Sequence, residues 1–116
     1  MLPLNNRLKK TADIKNVFKQ GRLFKEGFLI FKTAKSDLDK SRFGFIVSQK
    51  VSKQAVVRNR IKRRMRSAVQ KRMKEMKPGT DNLFVALPGL DKKDFLETEK
   101  TVNSLMKKAN MFSDEK

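Results

Sequence analysis

The residues of this sequence with the clearest chemical purpose are the basic side chains from Arg58 to Lys74. Nine of these seventeen positions carry arginine or lysine, six of them arginine, and none carries an acid. Like charges three or four residues apart on a helix repel each other, so an exposed helix usually relieves them with glutamate. An arginine guanidinium can donate two hydrogen bonds to one phosphate and can stack on a base. The run therefore predicts a surface that binds a polyanion rather than a plain solvated helix face.

Catalysis by side chains of the protein itself has few candidates. The chain has no cysteine and no histidine, so it lacks a thiolate nucleophile, a cysteine-bound metal and the commonest general base. A nuclease that acts alone with metal ions needs clustered carboxylates. Residues 40–74 contain none, and the acids at positions 91, 94, 97 and 99 are typical of helix starts, where the dipole favours negative charge. We therefore predict no catalytic residue and no metal site in the protein.

The charge of the whole chain, +17 over 116 residues, is concentrated in one block. Residues 1–39 carry nine basic and four acidic side chains, residues 40–74 thirteen and none, and residues 75–116 seven and eight. No apolar run approaches the roughly 20 residues of a membrane span. The first ten residues are too short and polar for a secretory signal. We expect a cytoplasmic protein that binds an anionic macromolecule and no membrane.

The elements that must position the basic run can be predicted from hydrophobic spacing. A first helix follows a basic, extended lead-in over residues 1–10 and places Ile14, Val17 and Phe18 on one face. Thr11 or Asp13 is its expected cap, and residue 21, a glycine, its expected end.

Two strands are predicted next. The apolar run Gly27–Ala34 is typical of a strand, and Arg42–Lys50 alternates, with Phe43, Phe45 and Val47 on one face. The polar residues 35–41 between them indicate a hairpin loop. We therefore expect these two strands to pair antiparallel.

The basic run itself is predicted to be a helix whose apolar stripe packs against the sheet. The stripe recurs at steps of three and four residues and consists of Val57, Ile61, Met65, Ala68, Val69, Met73 and Met76. Lys77–Asp81 ends this helix with Pro-Gly turn chemistry. A third strand over Asn82–Leu87 and a last helix capped by Asp91 or Asp94 follow. The predicted order is α-β-β-α-β-α in a single domain over residues 1–116, with an ordered core of about 7–110.

At Arg58-Asn59-Arg60, followed by Ile61-Lys62-Arg63, the sequence resembles the protein subunit of bacterial ribonuclease P. That family carries an RNR signature that opens a basic helix and continues as IKR. Three further features match in order: a first helix ending in Val17-Phe18, a strand of pattern R-x-G-x-x-V-S that starts at Arg42, and a third strand followed by an acid-bearing helix. The resemblance covers roughly residues 7–110.

The resemblance implies an α/β (α+β) two-layer sandwich, ribosomal-protein-S5-domain-2-like, whose mixed sheet contains a left-handed β-α-β crossover. The general preference for right-handed crossovers would give the opposite hand. It also implies that an RNA subunit removes the 5′ leader of precursor tRNA with bound Mg²⁺, while the protein, one per RNA, helps to bind the leader and stabilises the ribonucleoprotein. The lack of histidine and cysteine agrees, because such a protein need not supply the chemistry.

Carried over residue by residue, the resemblance implies two sets of contacts. The RNA-binding residues on the basic helix are Arg58, Asn59, Arg60, Lys62, Arg63 and Arg66. A cleft between the first helix and the sheet receives the single-stranded leader, with Ile14, Phe18 and Phe31 in the cleft and Lys50 and Lys53 beside it. An aromatic face on which a base stacks contributes about 1–3 kcal/mol. Ordinary core packing is the alternative for both phenylalanines.

The chain departs from the family pattern around the expected cleft. Ile14 stands where an aromatic residue is usual, Gln49-Lys50 replaces a frequent pair of lysines, and Leu87-Pro88 follows the third strand in place of basic residues. We expect a leader cleft that is less basic than usual, while the RNR helix is intact. A structural RNA-binding protein of ribosomal type is the alternative function, because the basic block alone would suffice for it.

Overall fold

A computed structural model describes residues 3–112, and within this range the chain forms three α-helices and four strands. In chain order they are α1 (Thr11–Gln20), β1 (Arg22–Glu26), β2 (Leu29–Lys35), β3 (Arg42–Ile46), α2 (Ala55–Arg72), β4 (Thr80–Ala86) and α3 (Phe95–Lys108). Short 3-10 helices lie at Leu4–Asn6, Met73–Glu75 and Leu90–Lys92. No helix in this range is long and apolar enough to cross a membrane.

The strands form one mixed sheet in the order β1-β2-β4-β3. β2 pairs antiparallel with both β1 and β4, whereas β3 runs parallel to β4. The expected antiparallel pairing of β2 with β3 is wrong, because β4 lies between them. The mixed α+β fold is confirmed, with α2 as the crossover between the parallel strands β3 and β4. The left-handed sense of that crossover stays a prediction from the resemblance.

Strand β1 is absent from the sequence-based prediction. Three of its five residues are charged and most of its side chains are exposed, since β1 is an edge strand, so it lacks an apolar signal. Gly27, with φ at 56°, turns the chain into β2 in the left-handed region that favours glycine. Glu26 ties β1 to α3, accepting hydrogen bonds from Lys108 Nζ at 2.8 Å and Ser104 Oγ at 2.6 Å. These bonds, that from Lys108 first, lower the pKa of Glu26.

Alternation along the strands gives the sheet two apolar faces. The larger core lies between one face and the helices α2 and α3, and it includes Leu29, Phe31, Phe43, Phe84, Ile61, Met65, Val102 and Met106. The smaller core lies on the other face beneath α1 and consists of Leu8, Val17 and Leu83, with Ile14, Ala34 and Ile46 partly buried around it. The predicted alternation of β3 is confirmed, because Phe43 and Val47 are buried in the larger core and Phe45 packs against it.

An ion-pair network joins helix α1 to the sheet. The helix begins without a side-chain cap, so the expected cap at Thr11 or Asp13 is wrong, while its end at Gly21 is confirmed. Asp13 instead accepts a hydrogen bond from Arg42 Nη1 at 3.2 Å. Arg42 also donates to both carboxylate oxygens of Asp81, at 2.8 and 2.7 Å. The bond to Asp81 contributes most to raising the pKa of Arg42, and the network joins α1 to β3 and β4.

The N-terminal segment runs along the free edge of β3. Arg7 forms a parallel bridge with Phe43, and the Leu8 amide donates to the Phe43 carbonyl at 2.9 Å. A Cβ atom on Gly44 would lie 2.9 Å from Leu83 Cδ2 and 3.1 Å from the Leu8 carbonyl oxygen. Glycine in the R-x-G-x-x-V-S motif therefore permits this close approach of two backbones.

The two helices that enclose the larger core follow the predicted pattern. The apolar stripe of α2 is confirmed: Ile61, Met65, Ala68 and Val69 are buried, and Val57, Met73 and Met76 pack against the core from its edge. Helix α3 begins at a capping box formed by Asp94 and Glu97, so Asp94 is the cap and Asp91 is not.

Candidate nucleic-acid interface

The cations of α2 divide into groups according to what they contact. Arg58, Arg64 and Lys71 fasten the helix to its neighbours: Arg58 donates to the Ser52 carbonyl at 2.9 Å, Arg64 to the Lys93 carbonyl at 2.8 Å, and Lys71 pairs with Glu99 at 2.9 Å. Arg72 pairs with Glu75 and lies over the Phe112 ring. Of the six predicted RNA-binding residues, Arg58 thus has an intramolecular contact of its own.

A second group faces outward from α2. Asn59 and Arg63 are exposed, and the side chain of neither forms a hydrogen bond, ion pair or ring contact within residues 3–112. Arg60 is partly buried, and its Nε atom is buried without a hydrogen-bond partner in the described part of the chain. Because the apolar stripe of α2 is packed in the core, these side chains project from a rigid support.

A third group turns toward the edge of β3. Lys62 and Arg66, four residues apart on α2, line a cavity of about 390 Å³ together with Arg7 and Lys9 of the N-terminal segment. We call this cavity the basic groove; Leu8, Phe43, Gly44 and Phe45 complete its lining, which includes no carboxylate. Lys9, Lys62 and Arg66 form no ion pair within the range that the structure describes.

Sequence reasoning missed Arg7 and Lys9 as partners of the helix. The basic lead-in was visible, but nothing in local spacing places it beside Lys62 and Arg66. The predicted residues Lys62 and Arg66 are brought together by the structure, whereas Asn59 and Arg63 point elsewhere. The predicted RNA-binding set therefore covers two adjoining surfaces rather than one.

The opposite face of the sheet is only partly covered by α1. The strand registers place Ile30, Val85 and Ile46 side by side on this face. Each is partly exposed, and they lie toward the strand ends that are farther from the Arg42–Asp81 pair. We call these three residues the open row. It is an aliphatic strip beside α1 on which an extended ligand can lie.

Lys32 and Phe18 border the open row. The register places Lys32 on the α1 face beside Leu83, and its Nζ donates to the Phe18 carbonyl at 2.6 Å and lies 5.2 Å from the Phe18 ring centre. Phe18 keeps 45% of its surface exposed, and Leu23, opposite Lys32 on β1, keeps 58%. Sequence reasoning missed Lys32, although the alternation of β2 separates it from Phe31.

The prediction that Phe31 lies in a cleft between α1 and the sheet is wrong. Phe31 points to the other face, is fully buried in the larger core and stacks on Phe84 with ring centres 4.5 Å apart. Ile14 does lie beneath α1, where it packs partly buried against the smaller core. Lys50 and Lys53 are exposed on the connection from β3 to α2, which leaves the sheet just after Ile46. The leader roles of Ile14, Phe18, Lys50 and Lys53 stay predictions.

Carboxylates are not gathered into a metal site in residues 3–112. No three side chains among aspartate, glutamate, histidine and cysteine come together there in a way that could hold a metal ion. Six acids, at positions 13, 26, 75, 81, 97 and 99, instead form ion pairs with Arg42, Lys71, Arg72, Lys93 and Lys108. The chemistry that these surfaces support is the binding of anions and of flat or apolar groups.

Fold and surfaces together define a class: a small α+β protein with a basic helix packed rigidly against its sheet. A family model described as Ribonuclease P matches residues 2–110. The chain belongs to the ribonuclease P protein family, as its RNR motif predicts. It is therefore part of a tRNA-processing ribonucleoprotein, and membership implies a ribonuclease P RNA as its partner.

Relatives cover almost the whole chain. The ribonuclease P protein component of Syntrophomonas wolfei is 37% identical over 113 residues, which are 97% of this chain and 94% of that protein. The ribonuclease P protein component of Synechocystis is 41% identical over 88 residues, which are 75% of this chain and 71% of that protein. The solved structure of the Staphylococcus aureus RNase P protein superposes with a TM-score of 0.86 at 26% identity, covering 93% of this chain and 98% of that one.

Proposed function

We propose that this protein binds the catalytic RNA of ribonuclease P through α2 and the 5′ leader of precursor tRNA through the face beside α1. One observation carries the proposal: α2 is packed rigidly by its apolar stripe, while five of its outward-facing side chains form no hydrogen bond or ion pair with any acid in residues 3–112. These five are Asn59, Arg60, Lys62, Arg63 and Arg66. Such a helix is preorganised for phosphates, and its repulsive charge is relieved when an anion binds.

The leader contact is supported by the surface beside α1. The open row offers an aliphatic floor, and Phe18 offers an exposed ring on which a leader base stacks. Lys32 at the rim, with the exposed Lys50 and Lys53, supplies positive charge for leader phosphates. This arrangement fits a single strand, whose bases are free to stack, better than a duplex.

Catalysis belongs, in this proposal, to the RNA subunit with its Mg²⁺. The protein has no histidine or cysteine, and both the basic groove and the run from Arg58 to Lys74 carry cations and no acids. Its own contribution is to position leader and RNA, with one protein for each RNA, and to offset phosphate repulsion that Mg²⁺ would otherwise have to screen.

A reconstitution at low Mg²⁺ tests the proposal. Adding the protein to a bacterial ribonuclease P RNA is expected to raise cleavage of precursor tRNA at the mature 5′ end, while the protein without RNA cleaves nothing. An absence of stimulation, or copurification with ribosomes in place of ribonuclease P RNA, would count against it. Cleavage by RNA-free protein would instead point to a nuclease acting alone.

The variant Arg60→Ala is expected to reduce the salt dependence of RNA binding. If the protein neutralises about six to eight phosphates, the slope of log affinity against log salt lies near −5 to −7. Loss of one phosphate contact makes the slope less steep by about one. Filter binding at several salt concentrations measures it. Because the Arg60 Nε has no hydrogen-bond partner within residues 3–112, its removal should hardly change the urea midpoint.

Lys100→Ala is the matched control for Arg60→Ala. Lys100 is an exposed cation on α3 and has no partner in the described chain, so its removal lowers the net charge by the same amount. The slope of log affinity against log salt should be the same for Lys100→Ala as for the parent protein. Equal changes in both variants would show that general charge, not a contact at Arg60, governs binding.

A further inference from the structure

The basic groove joins two segments that are far apart in the sequence. Arg7 and Lys9 come from the N-terminal segment and Lys62 and Arg66 from α2, and together they line one cavity of about 390 Å³. That volume lies within the usual range of roughly 300–1,000 Å³ for ligand pockets. Four cations gathered around a cavity that no carboxylate lines indicate an anionic occupant.

We propose that the basic groove holds a single RNA phosphate, shared between the N-terminal segment and α2. The proposal rests on RNA binding by α2 and adds a specific element to it: the N-terminal segment is one half of a phosphate clamp. The partner is recognised by the negative charge and the acceptor oxygens of one phosphodiester, which Arg66 can contact with two hydrogen bonds.

The conformation of the N-terminal segment explains how its two cations meet the helix. Next to β3 the segment is extended, so alternate side chains point to opposite sides. Leu8 is buried in the smaller core beneath α1. Arg7 and Lys9, on either side of Leu8, therefore turn toward the α2 side, where they line the basic groove.

Packing holds the two halves of the clamp at a fixed separation. The Leu8 amide bonds to the Phe43 carbonyl, and the absence of a side chain at Gly44 lets the segment lie close to β3. On the other side, Ile61 and Met65 fix α2 in the larger core. A phosphate that enters the groove thus meets cations that are already gathered, so little ordering is needed on binding.

A double-mutant cycle tests whether the two halves share one phosphate. Lys9→Gln and Arg66→Gln should each weaken binding of ribonuclease P RNA by about 10- to 100-fold, the range for one hydrogen bond to a charged group. If the phosphate is shared, the double variant should lose at least about threefold less affinity than the product of the single losses. Losses that simply multiply would overturn the clamp.

The matched control pairs Lys9→Gln with Arg63→Gln. Arg63 is an exposed cation on the same helix but does not line the basic groove. The affinity lost in Arg63→Gln should multiply with the affinity lost in Lys9→Gln. If Arg63 couples to Lys9 as strongly as Arg66 does, the effect is a general charge effect and the proposal falls.

Inorganic phosphate identifies the site and separates the two sources of phosphate. In amide NMR spectra of the free protein, phosphate should shift Gly44 and Phe45, and the variant Lys62→Gln with Arg66→Gln should abolish these shifts. Shifts that persist in the variant would place the site elsewhere. If the variant abolishes them but leaves RNA affinity unchanged, the groove takes a free anion and the RNA assignment is wrong.

Failure of the clamp and failure of RNA binding give different results. Suppose that Arg60→Ala makes the salt dependence less steep while the affinity losses of Lys9→Gln and Arg66→Gln simply multiply. The protein then binds RNA without a shared phosphate in the groove. If the parent protein does not bind ribonuclease P RNA, the proposed function itself fails. Equal urea midpoints of all variants ensure that the comparison is made between folded proteins.

Discussion

Replacing Phe31 by alanine is expected to lower the free energy of unfolding by about 3–5 kcal/mol, the usual range for a fully buried phenylalanine. The ring has no exposed surface, stacks on Phe84 at 4.5 Å and lies 6.4 Å from the ring of Phe24. Alanine would leave a cavity at the centre of the larger core. Urea unfolding followed by circular dichroism measures the loss, and a change below about 1 kcal/mol would contradict this placement.

Phe18→Ala is the matched variant and should have the reverse profile. Its ring is 45% exposed, so truncation costs little stability but removes the surface on which a leader base would stack. The affinity for precursor tRNA should fall by about 1–3 kcal/mol, while that for mature tRNA, which has no leader, stays constant. Equal losses for both substrates would show that Phe18 does not contact the leader. Folded Phe31→Ala protein, in contrast, should keep its preference for the leader.

Asp81→Ala is expected to destabilise the fold by about 3–5 kcal/mol, because it removes one partner of a largely buried ion pair. The Asp81 side chain is 8% exposed and the Arg42 side chain 19%. Among residues 3–112, Asp13 would be the one acid left to pair with Arg42. The same urea experiment measures the effect. Asp37→Ala is the control, because Asp37 is exposed and has no ion pair in the described chain.

A paired replacement separates the cost of an unpaired charge from the value of the pair. In Arg42→Met with Asp81→Leu, both buried charges are replaced by apolar groups. Such replacements are often neutral or stabilising, so most of the stability lost in Asp81→Ala should return. If the paired variant is at least as unstable as Asp81→Ala, the network does more than neutralise the charge of Arg42. The next experiment would then measure whether the bond from Arg42 to Asp13 fixes the orientation of α1.

Local patterns predicted those parts of the fold in which one segment decides the outcome. The stripe from Val57 to Met76 is long and periodic, and it predicts α2 and its buried face correctly. The predicted end at Lys77–Asp81 is wrong, because α2 ends at Arg72 and the chain continues as a short 3-10 helix. The position of Asp94 before an apolar stripe marks it as one of two possible caps, and it is the cap of α3. The RNR motif identified the family, because its residue types and their order are more specific than the charge of the chain.

Features that depend on pairing between distant segments were not predictable in this way. β1 is an exposed edge strand and has no periodic signal, and the pairing of β2 depends on β4, which comes much later in the chain. Phe31 and Lys32 lie on opposite faces of β2, but the apolar run Leu29–Phe31 conceals which face meets α1. The basic groove is of the same kind, since only the tertiary fold brings Lys9 to Arg66.

The position of β4 inside the sheet has a consequence for how the chain folds. β4 is the last strand to be synthesised, yet it lies between β2 and β3 and is hydrogen-bonded to both. Until residue 86 has left the ribosome, β3 can pair only with the N-terminal segment at its outer edge, and Phe43 and Phe31 cannot be enclosed. Closing such long loops slows folding. The basic helix is therefore synthesised before the sheet that will support it, and we expect folding to be completed in one late step, when β4 inserts between its neighbours.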